Sequence, residues 1–393
     1  MSAQLPQADW TGRGDLARLV GVLGADKLRW VGGCVRDTLL GAGVKDVDAA
    51  TLHHPQIVMQ KLQDAGIKVL PTGIEHGTVT AVLPDGPVEI TTLRRDVATD
   101  GRRAVIAFAD DWKDDAARRD FTINALYAHP KTLAIDDYFG GLGDLEARRV
   151  RFIGEAAQRI REDHLRILRY YRFAARFAAV PDDEAEQACA DLAPMLKGLS
   201  RERVAMELLA ILSLPDPLSA LQRMEAAGVL AMVLPKASED ALEAFARLIT
   251  AEDRADVAPD AIRRLAALLP PDPKLAGQTA AQLRLSNAQR KTLERLAQRG
   301  GAPEGAQALA YREGTEMARD LLLLDGEDPS PLAGYTPPTF PLKGGTIVQR
   351  GVAAGPDVAR VLQAVERRWI AEGFPAAGRV DALLDEELTR LRR

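Results

Sequence analysis

The sequence predicts an α+β protein: a small mixed-sheet head followed by an all-helical neck, body and tail. Three observations carry this reading. Between about residues 15 and 150, helical periodicity alternates with short β-branched runs, the pattern of a small sheet with helices packed on it. From Ile160 onward apolar residues recur at helical spacing, punctuated by proline and glycine. The chain, at 393 residues, is too long for one small core. The expected divisions are a head (1–150), a neck (151–215), a body (216–335) and a tail (336–393).

Composition narrows the class. With 47% hydrophobic and 27% charged residues, the chain is of ordinary globular type. The net charge of −5 is unevenly spread. From Glu146 to Arg176, nine arginines face four acidic residues, a local excess of +5, so the remainder sums to −10. Such a patch keeps RNA binding open despite the acidic total. The two cysteines, Cys34 and Cys189, make neither a disulfide framework nor a Cys-rich zinc site. No run approaches the ~18 apolar residues of a membrane span, and no signal segment is evident. The expectation is a reducing cytoplasm, no membrane and no obligate protein partner.

The elements follow in order. Asp15 to Gly24 reads as an amphipathic helix with Leu16, Leu19, Val20 and Leu23 on one face. Leu28 to Val31 is a short strand, followed by Gly32, Gly33 and a helix opening at Cys34, Val35, Arg36 and Asp37. Paired glycines let a backbone approach phosphate closely, and a helix start offers free N–H groups. The next strand carries Asp46-Val47-Asp48. Residues i and i+2 of a strand share a face, so the two carboxylates converge. Beside a phosphate cradle they suit Mg²⁺, because hard cations want oxygen ligands. Either element alone also reads as a glycine turn or an acidic strand tip.

His54, Pro55 and Gln56 open a helix ended by Gly66. Strands are expected near Lys68–Leu70, Thr78–Leu83 and Val88–Leu93. Glu89, charged between Val88 and Ile90, faces either solvent or the acidic pair as a third carboxylate. Arg94 to Trp112 reads as a mobile loop able to close over a charged ligand, or as a plain surface loop. RRDFTINAL (Arg118 to Leu126) is expected to start a helix that leaves Arg119, Asp120 and Asn124 available. Ile160 to Phe177 reads as one long helix. Asp163, Arg166, Arg169 and Arg172 form a slowly drifting stripe on it. Ser200 is the expected cap of a helix reaching Leu212. Lys343-Gly344-Gly345 reads as a phosphate site or a glycine turn, and Gly355 to Phe374 as a closing helix.

Taken together, GG, DxD, RRDFTINAL, the GDL of Gly143-Asp144-Leu145 and EDHLR resemble the class II tRNA nucleotidyltransferase (CCA-adding enzyme) and bacterial poly(A) polymerase family. The match is most specific over residues 29–177. The resemblance implies a nucleotidyltransferase head using Mg²⁺ on Asp46 and Asp48; Glu89, read from its place on a neighbouring strand, is either a further catalytic carboxylate or a solvent-facing residue. It implies a triphosphate held by Gly32, Gly33 and Arg36, and ribose and phosphate contacts from Arg119, Asp120 and Asn124. Asp163, Arg166 and Arg169 would stand in for a nucleic-acid template, and Arg172 and Arg176 would meet RNA. The implied reaction is attack of a tRNA 3′-hydroxyl on the α-phosphorus of CTP or ATP, with pyrophosphate leaving. Poly(A) polymerases of this family typically carry a more basic stretch after the DxD strand. Here Val69 to Val82 has only Glu75 and His76 ionisable, which resembles the CCA-adding branch. A CC- or A-adding specialist stays open, as does a poly(A) polymerase. An RNA-binding protein that lost catalysis is the reading from another class, and retention of both aspartates speaks against it.

Overall fold

The computed structural model describes residues 3–99 and 104–391. It falls into two compact units that meet in sequence at Pro235 and Lys236. In chain order the first unit begins with α1 (Gly14–Leu23), β1 (Leu28–Val31), α2 (Gly33–Leu39), β2 (Val47–Thr51), α3 (Pro55–Asp64), β3 (Lys68–Gly73), β4 (Thr78–Leu83) and β5 (Gly86–Thr92). It continues with β6 (Arg94–Thr99), β7 (Ala104–Phe108), α4 (Trp112–Ala117), β8 (Leu126–Ala128), β9 (Ile135–Asp137) and α5 (Gly141–Glu146). Helices α6 (Ala156–Glu162), α7 (Arg166–Arg176), α8 (Asp183–Leu192) and α9 (Arg201–Leu212) follow.

Seven strands form one sheet in the order β3-β4-β5-β2-β1-β8-β9. Only the β2–β5 pair among these neighbours is parallel. That pairing sets Asp48 opposite Glu89. The apolar face of α1 is buried as its spacing predicts: Leu16, Leu19, Val20 and Leu23. Val31, Ala50, Leu93, Ala116 and Tyr127 pack together beneath the site. This is the mixed-sheet head and helical remainder that the sequence predicts.

Several local expectations change. The stretch after Arg94 is not an irregular loop but an antiparallel hairpin, β6–β7, with Arg94 opposite Phe108. Arg94, Arg95 and Asp96 mask the pattern of β6, whereas β7 (Ala104–Phe108) is an apolar run, and residues 100–103 lie outside the described set. RRDFTINAL starts no helix. Phe121 is extended and bridges to Phe152, a single 3₁₀ turn spans Thr122–Asn124, and the chain enters β8. The long helix predicted from Ile160 to Phe177 breaks at Asp163, whose backbone is extended (φ −151°, ψ 106°). Its carboxylate accepts the Leu165 N–H at 3.1 Å, a local bond that competes with the helical ladder. Ser200 caps α9 as expected, accepting from the Arg203 N–H.

The second unit is helical throughout its regular elements. Glu252 there receives both Arg263 and Arg264, each almost fully buried, at 2.7 and 2.8 Å. The helix Pro356–Ala371 carries Trp369 in the core but does not close the chain, since a further helix, Ala377–Leu391, packs with it. Gly344 and Gly345 open a short helix, where a Cβ on Gly344 would meet Val358 at 3.3 Å and one on Gly345 would meet nothing within 4 Å. No helix among the described residues is long and apolar enough to cross a membrane.

The GDL region positions the site. Asp137 accepts the N–H groups of Gly140, Gly141 and Leu142, which starts α5. Buried Asp144 then takes Thr122 Oγ1 at 2.6 Å, Arg149 Nε at 2.8 Å and Arg151 Nε at 2.9 Å. A Cβ on Gly141 would sit 2.3 Å from the Thr122 carbonyl oxygen, whereas one on Gly143 meets nothing within 4 Å. Gly141 is therefore the glycine that the RRDFTINAL turn requires. We expect Gly141→Ala to destabilise the fold by roughly 1–3 kcal/mol through overpacking. Gly143→Ala should be neutral or slightly stabilising, and denaturant midpoints of the two variants check the pair.

Candidate active site

Gly32 leaves β1 with φ +74° and ψ −127°, a conformation that L side chains rarely adopt. A Cβ at Gly32 would lie 3.6 Å from Arg119 Nη1 and 3.9 Å from the Asn124 carbonyl oxygen. The glycine turn and the RRDFTINAL turn are thus in close approach.

The acidic group lies beside that turn. Asp46 is exposed just ahead of β2, Asp48 is half-buried at its second position, and Glu89 is exposed on the neighbouring strand. Burial pushes the Asp48 carboxyl up to about 6, and the charges of Glu89 and Asp46 push the same way against the pull of Arg119. A buried carboxylate with like charges beside it suits a bound cation. Among the described residues no group of three or more His, Cys, Asp or Glu forms a ready metal cage. A cation here would complete its shell with phosphate and water, and this donor set fits magnesium.

A cavity of about 490 Å³ opens on these aspartates, and its lining includes Gly33, Arg36, Asp37, Lys45, Asp46, Asp48, Arg172 and Arg176. Behind it runs a chain of alternating charges. Arg176 Nη2 reaches Asp37 Oδ2 at 3.0 Å, and Arg36 Nε donates to Asp37 Oδ1 at 2.8 Å. Arg36 Nη1 donates to Asn124 Oδ1 at 2.5 Å, and Asn124 Nδ2 to Asp120 Oδ1 at 3.1 Å. Arg169 Nε donates to Asp120 Oδ2 at 2.7 Å, and Arg172 Nε to Glu207 Oε2 at 2.6 Å. Burial would raise the Asp120 carboxyl, but Arg169, Asn124 and Arg166 hold it below the usual range. The Phe173 ring carries Arg36, Arg169 and Arg172 at 5.0, 5.5 and 4.4 Å.

The structure brings together Gly33, Arg36, Asp46, Asp48, Arg172 and Arg176 around the cavity. Gly32, Asp120, Asn124 and Arg169 form its backing, while Arg119 and Glu89 act on Asp48 by charge. Arg36 is 4% exposed, with its guanidinium engaged by Asp37 and Asn124. Asp163 and Arg166 are not turn-neighbours on one helix, since Asp163 lies in the break ahead of α7. Asp163 Oδ2 accepts from Arg203 at 2.6 Å. Arg166 donates to Glu162 at 2.6 Å and to the carbonyls of Arg159 and Arg118 at 2.9 and 3.2 Å.

Comparison with known proteins fits this geometry. Residues 28–151 match the family described as "Poly A polymerase head domain", and residues 181–240 match "Probable RNA and SrmB- binding site of polymerase A". The fold aligns over 97% of this chain with 99% of the CCA-adding enzyme of Bacillus stearothermophilus in complex with CTP (TM-score 0.76, 26% identity). The head of the chain thus matches the poly(A) polymerase head family, and its fold is that of the solved CCA-adding enzymes. Among curated proteins similar to it, the mouse protein named CCA tRNA nucleotidyltransferase 1, mitochondrial, is 47% identical over 195 residues, 48% of this chain and 44% of that protein. The CCA-adding enzyme of Lactobacillus johnsonii is 41% identical over 180 residues, 45% and 44% of the respective chains. The matched region therefore spans less than half the length of these curated relatives.

The residues that motif reading missed are the partners of the motif residues: Asp37, Asp115, Tyr127, Arg203 and Glu207. A signal existed for Asp115 alone, which sits three and four residues before Arg118 and Arg119, the spacing of helical ion pairs.

The Asp48 shift has a consequence for stability. The folded carboxyl titrates near 6 against an ordinary 3.8, so folding favours the protonated form. Wild-type stability therefore falls as pH rises through that window and levels off above it. In buffer free of divalent cations, Asp48→Asn should be more stable than wild type at neutral pH by up to about 2–3 kcal/mol. The gain should vanish as pH falls below the ordinary aspartate range, and urea midpoints across pH measure it.

Proposed function

We propose that this protein adds C, C and A to tRNA 3′ ends without a nucleic-acid template, drawing on CTP and ATP and releasing pyrophosphate. The observation that carries the reading is the convergence of Asp46 and Asp48 with the glycine turn and an arginine border in one cavity. The names of the curated relatives support the choice of CCA addition over poly(A) synthesis.

In this reading Asp46 and Asp48 hold Mg²⁺, whose contribution when bound is to stabilise charge on the attacking and leaving oxygens. Glu89 stands opposite Asp48 and would orient the metal or the incoming hydroxyl. The backbone of Gly32 and Gly33 lets the triphosphate approach, and Arg119 turns a guanidinium edge toward it. Arg36 serves by holding Asp37 and Asn124 in place, and Asp120 and Asn124 set the ribose side of the pocket. The terminal ribose oxygen of the RNA bonds to the α-phosphorus in line, and the bond to the β-phosphate breaks with its electron pair. Arg172 and Arg176 border the cavity where the RNA backbone would enter. Residues 1–150 act as catalytic head, 151–215 as neck, 216–335 as body and 336–393 as a tRNA-binding tail. Cys34 and Cys189, both free and buried, fit a reducing compartment, which we take to be the cytoplasm.

Base choice falls to Asp163 and Arg166, with Arg169 holding the turn beside them. Cytosine and adenine each present an amine next to a ring nitrogen acceptor, which an acceptor and a donor fork match. Uracil and guanine present the reverse. Asp163→Ala and Arg166→Ala should each lower kcat/KM for CTP and ATP relative to UTP and GTP, by the about 1–3 kcal/mol of a bidentate contact. An unchanged CTP-to-UTP ratio in both variants would return the pair to a purely structural role.

The carboxylates give the direct test. Asp46→Ala and Asp48→Ala should each abolish nucleotide incorporation while leaving tRNA affinity nearly unchanged, because the RNA grip lies elsewhere. Substantial turnover in either variant at saturating Mg²⁺ would refute the assignment of the metal.

A further inference from the structure

Asp115 belongs to none of the motifs above, yet it is among the most enclosed charges of the head, with its side chain 1% exposed. It lies on α4, one turn before RRDFTINAL. Its Oδ1 accepts from Arg118 Nε at 2.8 Å and from the backbone N–H of Arg94, the first residue of the β6–β7 hairpin, at 3.2 Å. Its Oδ2 accepts from Tyr127 Oη at 2.6 Å and from Arg119 Nη2 at 3.2 Å. Tyr127 Oη in turn accepts from Arg119 Nε at 2.9 Å, and the guanidinium lies over the Tyr127 ring, 5.2 Å from its centroid.

The Nε–Nη2 edge of Arg119 is thus held by a closed triangle of hydrogen bonds. The opposite end, Nη1, is the part that meets the glycine turn, 3.6 Å from where a Gly32 side chain would begin. A planar guanidinium held along one edge has one direction left for its other end. Burial alone would raise the Asp115 carboxyl, but Arg119, Arg118 and Tyr127 hold it down to about 2. The anchor is therefore charged throughout the neutral range. The Arg118 side chain is fixed by the same carboxylate, and its carbonyl receives Arg166.

We propose that Asp115, with Tyr127 as its relay, is a positioning residue that aims Arg119 at the incoming nucleotide and sets the base of the β6–β7 hairpin relative to it. The proposal rests on the reading of Arg119 as a nucleotide-binding residue. Asp115 and Tyr127 are placed to act through Arg119 and make no contact with substrate themselves.

The test is a double-mutant cycle on the full-length protein, with kcat and KM measured for CTP on a tRNA lacking its 3′ end. Asp115→Asn and Tyr127→Phe should each lower kcat/KM for CTP by roughly ten- to hundredfold, the cost of misplacing a binding group by about an ångström. The KM for tRNA should stay at the wild-type value, a split that general loss of fold would not produce. In an Arg119→Ala background either substitution should change kcat/KM for CTP by less than about twofold, because the group they aim is gone. Equal losses in both backgrounds would overturn the proposal while leaving the Arg119 reading intact. If Arg119→Ala alone leaves kcat/KM for CTP unchanged, the reading fails and the proposal with it. Asp115 anchors four donors, so Asp115→Asn risks misfolding. Tyr127→Phe keeps the ring, removes only the relay oxygen, and decides the cycle by itself if Asp115→Asn is not folded.

Discussion

The head depends on one continuous line of alternating charges between the glycine-turn helix and the helices that follow the sheet. Arg176, Asp37, Arg36, Asn124, Asp120 and Arg169 are linked in succession, with Glu207 taking Arg172 at the end. Arg36, Asp37, Asn124, Asp120 and Glu207 are buried, and none of the charged ones among them is tolerable alone; Arg169 and Arg172 are half-buried and Arg176 is exposed. Removing one partner of a buried pair leaves an uncompensated charge, at a cost of about 3–5 kcal/mol. The line therefore specifies a relative placement of α2, the RRDFTINAL turn, α7 and α9 that apolar packing alone would not. Phe173 adds to it by offering its ring to three of the arginines.

This explains a division of labour among residues of the same type. Arg36 is buried at the cavity's edge and donates to Asp37 and Asn124, so it ties architecture to the site. Arg119 is held along one edge only, and Arg172 and Arg176 keep part of their guanidinium surface toward the cavity. The aspartates divide likewise. Asp120, Asp144 and Asp115 are neutralised by arginines. Asp48 is opposed by Glu89 and Asp46 and is held in a state that costs stability. A group kept under strain beside a line of satisfied ones marks where a ligand is expected to bring the missing charge.

Much of this was legible in the sequence. The α1 face, the Ser200 cap, the glycine turn and the i, i+2 carboxylates follow from local periodicity and backbone stereochemistry, which a sequence carries directly. The break at Asp163 did not, because it arises from a side chain bonding the Leu165 N–H and reaching Arg203, forty residues on. Strand β6 was hidden by Arg94, Arg95 and Asp96 where strands usually carry apolar residues, while its partner β7, Ala104–Phe108, is an apolar run that on its own names no pairing. The roles of Gly141 and Asp115 are set by backbone and side chains brought in by the fold: the Thr122 carbonyl for one, Tyr127 and Arg94 for the other. Motif spacing identifies reactive residues more readily than the partners that hold them, since the partners are chosen in three dimensions.

The central claim is that protein side chains alone select and count the nucleotides added. Its most direct test is to incubate the protein with Mg²⁺, CTP and ATP together on a tRNA transcript ending before its CCA, and to sequence the 3′ ends of the product. The account predicts addition of C, C and A in that order, followed by arrest. Runs of A without C, addition that continues past three nucleotides, or transcripts left unextended would contradict it.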